Sequence, residues 1–142
     1  TIPVTLAQTI KNGVREEIAS FVIPLCATIH LAGSILKIVA CAYAISLSMG
    51  MNVELDLYAG FICMLGVIMV AAPGVPGGAI MAAIGLIATM LGFDPSMQGL
   101  MIALYIAMDS FGTAANVTGD GAIALIINTI KTKSLPETVT AE

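Results

Sequence analysis

The stretch Asp109-Ser110-Phe111-Gly112-Thr113-Ala114-Ala115-Asn116-Val117-Thr118-Gly119-Asp120 lies inside a long apolar segment. We predict one helix over 95–130, in which successive residues turn by about 100°. Its polar and small residues then fall within about 60° of Asp109 on the helical wheel: Gly112, Thr113, Asn116 and Asp120. The two aspartates would lie about 16 Å apart along the axis, which suits two separate ligands.

The composition of the whole chain indicates a membrane protein. Of 142 residues, 58% are hydrophobic and 10% charged, and the mean hydropathy is +1.03. Soluble domains carry about a quarter charged residues. The five basic residues and net charge of −4 give no phosphate-binding footprint, so we expect no nucleic-acid partner.

The three cysteines lie in apolar runs and suggest buried thiols. Because the chain opens with Thr1 and shows no signal peptide, we expect a piece of a longer protein.

A carboxylate within a membrane costs at least a few kcal/mol, so it faces the interior of a helix bundle and usually has a partner. Asn116 lies one turn before Asp120, and together they offer oxygen ligands to a small hard cation. The alternative is that the polar residues of this helix are buried structural groups.

Charge clusters predict the topology. Four of the five basic residues lie in clusters at 11–15 and 131–133, whereas the boundaries at 54–56 and 94 are acidic. By the positive-inside rule, the basic ends are cytoplasmic and the acidic boundaries lie outside.

The segment 57–93 has no charge and must leave and return on the same side. A Gly- and Pro-rich turn at 73–78 divides it into arms of roughly 15 residues, or about 23 Å, which is less than the hydrocarbon core of about 30 Å. We therefore expect a re-entrant hairpin whose tip stops inside the membrane beside a cavity. The alternative is a tight turn at the far surface.

The run 18–51 has the opposite problem, since one helix of this length would measure about 51 Å. The cluster at 28–34 contains Thr28, His30 and Ser34 and follows Pro24 by one turn, so we expect the helix to be interrupted there. Freed carbonyls at the break could face a cation. The alternative for His30 is a neutral side chain hydrogen-bonded within a bundle.

An intramembrane aspartyl protease is disfavoured, so we expect no enzymatic activity. Val117 stands where its Gly-x-Gly-Asp motif needs glycine. Both aspartates also share one helix, three turns apart, whereas paired carboxylate catalysis needs them within a few Å.

The sequence resembles the C-terminal part of the transport domain of the dicarboxylate/amino acid:cation symporter family, over about residues 1–130. The motifs that carry the resemblance are Asn116-Val117-Thr118-Gly119-Asp120, Thr1-Ile2-Pro3-Val4-Thr5, Ile23-Pro24-Leu25-Cys26-Ala27-Thr28-Ile29 and Gly74-Val75-Pro76-Gly77. It implies an all-α membrane protein: the end of a first re-entrant hairpin (1–14), a discontinuous transmembrane helix (15–52), a second re-entrant hairpin that acts as a gate (57–93), a long final transmembrane helix (95–131) and a cytoplasmic tail (132–142).

The resemblance also implies the site residues. The positions that would bind an amino-acid substrate are Asp109, for its amino group, and Gly112, Thr113, Asn116, Val75, Pro76, Gly77 and Ser34. A first sodium ion would be bound by Asp120 and by backbone oxygens at Cys26, His30 and Asn116. A second would be bound by Thr28, Met69, Val70 and Ala72. The resemblance further implies a multi-pass homotrimer in the plasma membrane, coupled to Na⁺ or alternatively H⁺, without an organic cofactor.

Two departures from the family pattern affect function. The family's Asn-Met-Asp-Gly-Thr is His30-Leu31-Ala32-Gly33-Ser34 here, which removes the carboxylate of a third sodium site. The arginine that pairs with an acidic substrate is replaced by Gly112. We therefore predict symport of a neutral amino acid by alternating access. The alternatives are an acidic amino acid or dicarboxylate met by a basic residue from upstream, an ion channel, and a degenerate fragment without activity.

Overall fold

The computed structural model describes residues 1–134, which form helices and no strand. The helices are α1 (Ile2–Lys11), α2 (Glu16–Ile29), α3 (Ala32–Ser48), α4 (Leu55–Met69), α5 (Gly78–Leu91), α6 (Pro95–Ala107) and α7 (Asp109–Ser134). Of the predicted tail 132–142, the first three residues continue α7, and 135–142 lie outside the described residues.

The interruption predicted in the first long apolar run is present. α2 ends at Ile29 and α3 begins at Ala32, and the His30 amide donates to the Cys26 carbonyl at 2.7 Å. Pro24 lies inside α2, where it removes one backbone hydrogen bond of the helix. Residues 16–48 include an 18-residue stretch with a mean hydropathy of 1.8, and they are long and apolar enough to cross a membrane.

α4 and α5 pack against each other, with the turn between them at 70–77. They have 15 and 14 residues, about 22 and 21 Å, so neither alone spans a core of about 30 Å. Gly77 has φ 75°, a left-handed conformation that favours glycine. A Cβ atom at Gly78 would overlap the Pro73 carbonyl oxygen, so the tip closes tightly on itself.

The prediction of a single helix over 95–131 is wrong in one respect. The segment forms two helices, α6 and α7, with an angle of 60° between them at Met108. Asp94 begins α6 by accepting a hydrogen bond from the Met97 amide at 2.9 Å. No Pro or Gly lies next to Met108, so the sequence carries no local signal for the bend. The bend accompanies contacts of the first turns of α7 with α3, and it gives α7 its own N-terminus at Asp109.

Two apolar clusters hold the helices together. The larger cluster contains residues of α3, α4, α5 and α6, with fully buried side chains such as Ile38, Phe61, Ile80, Ile87 and Met101. The smaller joins α2 to α7: Val14, Ile18, Ala19, Val22, Ile23, Cys26 and Ala124.

The outer faces of the helices are also apolar, as the exposed side chains of Phe21, Leu36 and Phe111 show. Such surfaces suit lipid or further protein segments. The prediction of buried thiols is right for Cys26 and Cys41 but wrong for Cys63, which is exposed on the outer face of α4.

Candidate functional site

A cavity of about 380 Å³ lies where the tip between α4 and α5 meets α7 and the break between α2 and α3. The residues that line it are Thr1, Ala27, His30, Leu31, Ser34, the tip residues 73–77, Ala79, Tyr105, Asp109, Thr113, Asn116, Val117 and Asp120. The N-terminal ends of α3, α5 and α7 all contribute to this lining. Helix N-termini carry unpaired amide donors and a partial positive charge, so the cavity favours an anionic group such as a carboxylate.

Most of the predicted substrate-binding residues share this cavity: Ser34, Val75, Pro76, Gly77, Asp109, Thr113 and Asn116. Gly112 does not line it, because it is buried where α7 crosses α3. Of the predicted sodium ligands, Asn116, Asp120 and His30 line the cavity. The structure does not bring the others to its wall: Cys26, Thr28, Met69, Val70 and Ala72.

Asp109 forms an ion pair with Lys37, a residue that sequence reasoning did not place in the site. Lys37 Nζ lies 3.3 Å from Asp109 Oδ1 and 3.5 Å from the centroid of the Tyr105 ring. The Lys37 side chain is 4% exposed, whereas that of Asp109 is 48% exposed. The available signal was that Lys37 is the only charged residue within 18–51, where an unpaired ammonium would be costly.

Small residues let α3 and α7 cross closely beside this pair. A Cβ atom at Gly33 would overlap the Gly112 carbonyl oxygen. A Cβ atom at Gly112 would lie 3.2 Å from Lys37 Nζ and 3.3 Å from its Cε atom. Gly112 therefore provides the space that the Lys37 ammonium occupies.

Asn116 connects α7 to the first turn of α3. Its Oδ1 atom accepts a hydrogen bond from the Gly33 amide at 2.8 Å, and its Nδ2 donates to Ser34 Oγ at 3.3 Å. The side-chain oxygen of Asn116 thus satisfies one of the unpaired amides at the N-terminus of α3.

Asp120 is 3% exposed and lies against His30. His30 Nδ1 is 2.8 Å from Asp120 Oδ1, and with a proton on Nδ1 the imidazole donates to the carboxylate. A Cβ atom at Gly119 would overlap the His30 ring, so the glycine gives the imidazole its place. The predicted sodium site involved the backbone at His30, and its side chain is a further contact of Asp120.

Comparison with protein families matches residues 1–130 to the sodium:dicarboxylate symporter family. The chain belongs to this family. It is 29% identical over 127 residues to the neutral amino acid transporter A of Bos taurus, covering 88% of this chain and 23% of that protein. It is 30% identical over 147 residues to the excitatory amino acid transporter 5 of Mus musculus, covering 100% of this chain and 25% of that protein. No solved structure matches significantly.

The sodium:dicarboxylate symporter family consists of transporters rather than enzymes, and the relatives that match this chain are named as amino acid transporters. It spans about a quarter of the length of the curated relatives it matches. These relatives are transporters of neutral and of excitatory amino acids, so the comparisons leave the charge of the substrate open.

Asp120, Asn116 and Cys26 each offer an oxygen atom of the kind that binds hard cations. Hard cations prefer carboxylate, amide and backbone oxygens. The Asp120 carboxylate and the side chain of Asn116 both line the cavity, one turn apart on α7. The Cys26 carbonyl accepts the His30 amide and keeps a second lone pair.

Proposed function

We propose that the chain forms the substrate- and sodium-binding part of a secondary transporter that moves a neutral amino acid by alternating access. The observation that carries the proposal is one shared cavity, whose wall includes Asp109, Asn116 and Asp120 together with the hairpin tip. Substrate and coupling ion would then bind within one compartment, so that each affects the affinity of the other.

Asp109 is the proposed partner of the substrate's ammonium group. Its side chain is 48% exposed and lines the cavity, and Lys37 donates a hydrogen bond to its Oδ1 atom. The Oδ2 atom is therefore the acceptor for the substrate. The substrate's carboxylate would meet the amides at the start of α5, near Gly77 and Ala79.

A neutral side chain fits the charge of the cavity wall. Among the described residues that line it, none is Lys or Arg, because Lys37 is buried behind Asp109. A second substrate carboxylate would be buried without a cation, which costs several kcal/mol. This supports the prediction based on Gly112.

Asp120 is the proposed sodium ligand, together with Asn116 and backbone oxygens at Cys26 and His30. Its burial at 3% exposure supports this, since a carboxylate this deep needs a counter-charge. A second sodium ion is proposed at Thr28 and the end of α4, at Met69, Val70 and Ala72, where the last carbonyls of a helix carry a partial negative charge.

The α4–α5 hairpin is the proposed gate. Its arms are too short to cross the membrane, and the tip contributes residues 73–77 to the cavity wall. We propose that both arms start on the extracellular side, and that the intact protein is a multi-pass homotrimer of the plasma membrane.

Uptake of labelled amino acids by the intact protein in liposomes tests this function. We expect saturable uptake of alanine or serine driven by an inward sodium gradient and little uptake of aspartate or glutamate. A proton gradient without sodium is the matched condition for the alternative coupling ion. Sodium-independent ohmic conductance would instead indicate a channel, and preferred aspartate uptake would contradict the neutral substrate.

A further inference from the structure

The ammonium of Lys37 lies next to the candidate site, paired with Asp109. It comes from α3, contacts Asp109 at the start of α7 and lies 3.5 Å from the ring centroid of Tyr105 on α6. Asp109 and Tyr105 both line the cavity, but Lys37 does not. The cation thus sits behind the cavity wall and acts on the substrate through Asp109.

The residues around Lys37 stabilise its buried ammonium. The side chain is 4% exposed, and the carboxylate and the aromatic ring both stabilise its charge. Gly112 leaves the room for it, since a Cβ atom there would lie 3.2 Å from Nζ.

This pairing changes what the cavity requires of a substrate. A partly buried aspartate without a nearby cation depends on the substrate's ammonium for its counter-charge, and a substrate without one would leave it unpaired. Here Lys37 already supplies that charge at 3.3 Å. A substrate ammonium then adds a contact to Oδ2, but its absence leaves no uncompensated carboxylate.

We propose that Lys37 allows the site to bind small carboxylates that lack an amino group, in particular 2-hydroxy acids with an uncharged side chain. This rests on the proposed function, since it uses the same cavity. The hydroxyl would donate to Asp109 Oδ2 in place of the ammonium. The carboxylate would meet the same helix N-terminus at Gly77 and Ala79. Lys37 is therefore a positioning residue that determines specificity for the amino end of the substrate.

Competition binding to the intact protein tests the inference, with labelled L-alanine as the probe in saturating sodium. Unlabelled L-alanine and L-lactate are the competitors, and the readout is the ratio of their inhibition constants. In the wild type we expect lactate to compete within about tenfold of alanine. In Lys37→Met, Asp109 depends on the substrate's ammonium, so the ratio should rise by at least about tenfold in favour of alanine.

Two further variants separate this role from a merely structural one. Lys37→Arg keeps the positive charge and should stay close to the wild-type ratio. Gly112→Ala crowds the ammonium without removing it and should shift the ratio in the direction of Lys37→Met. It also replaces Lys37→Met as the test if that variant does not fold, as judged by gel filtration in detergent.

The outcomes distinguish the two proposals. Sodium-dependent alanine binding without displacement by a hundredfold excess of lactate, about 2.7 kcal/mol, would overturn the inference and leave the proposed function standing. An equal loss of affinity for both competitors in Lys37→Met would also overturn it. If alanine does not bind, the binding of labelled lactate is measured directly. Sodium-dependent lactate binding that is lost in Lys37→Met would support the inference, although the proposed amino-acid function would fail. An absence of lactate binding would overturn both.

Discussion

His30 Nδ1 lies 2.8 Å from Oδ1 of Asp120, and this contact joins the break between α2 and α3 to the middle of α7. The two residues are 90 positions apart in the sequence. Because Asp120 is 3% exposed, the imidazole is part of the environment that any bound cation would share. Movement of the break relative to α7 would therefore change the ligands available at Asp120.

Replacing Asp120 with Asn should weaken sodium binding strongly. The substitution keeps the shape of the side chain but removes the charge, and charge-assisted contacts contribute about 1.5–3 kcal/mol, or roughly ten- to a hundredfold in affinity. The sodium concentration that gives half-maximal alanine uptake measures the effect. Asp56→Asn, at an exposed position near the start of α4, is the matched control and should behave as wild type. Unchanged sodium dependence in Asp120→Asn would remove Asp120 from the proposed site.

Gly119→Ala should displace the His30 ring from Asp120. The added Cβ atom would overlap the imidazole. Because the Cβ atom is fixed to the backbone of α7, the ring is the group that moves. We expect an altered sodium dependence of alanine uptake together with a shifted imidazole resonance in NMR of histidine-labelled protein. Gly66→Ala is the control, since a Cβ atom there meets nothing within 4 Å. An unmoved resonance would show that the contact does not depend on Gly119.

The sequence predicted local features well and the pairing of distant residues poorly. The interruption between α2 and α3 was predictable because it leaves a signal in the composition. Pro24 precedes it, and the polar and small residues at 28–34, including Gly33, surround it. The turn between α4 and α5 was predictable for the same reason, from its Gly and Pro residues. These features depend on backbone conformation, which neighbouring residues determine.

The Lys37–Asp109 pair could not be predicted in this way. The partners are 72 positions apart, and the bend at Met108 that orients the start of α7 has no Pro or Gly directly beside it. Periodicity gave the correct polar face of α7, since Asp109, Thr113, Asn116 and Asp120 all line the cavity. It could not show that Gly112 contacts a buried ammonium, because this depends on how two helices cross.

Gly33→Ala should destabilise the protein through the crossing of α3 and α7. Its Cβ atom would overlap the Gly112 carbonyl oxygen, which is backbone and cannot rotate away. Overpacking of this kind costs about 1–3 kcal/mol. Thermal unfolding in detergent measures the loss, and Gly99→Ala, where a Cβ atom meets nothing within 4 Å, is the control. Equal midpoints for the two variants would mean that α3 and α7 separate easily at this point.

The hairpin tip should be reachable from outside and covered when substrate binds. Val75 is 61% exposed at the tip and lines the cavity. We propose Val75→Cys in a background in which the exposed Cys63 is replaced by Ser, with labelling by a thiol reagent that does not cross membranes. External reagent should react with Cys at 75, and sodium with alanine should slow the reaction because the tip then closes over the substrate. Leu55→Cys, at an 84% exposed position at the start of α4, should react from outside with or without substrate. If position 75 reacts only with reagent applied from the cytoplasmic side and substrate has no effect, the turn lies at the far surface and the hairpin is two complete spans.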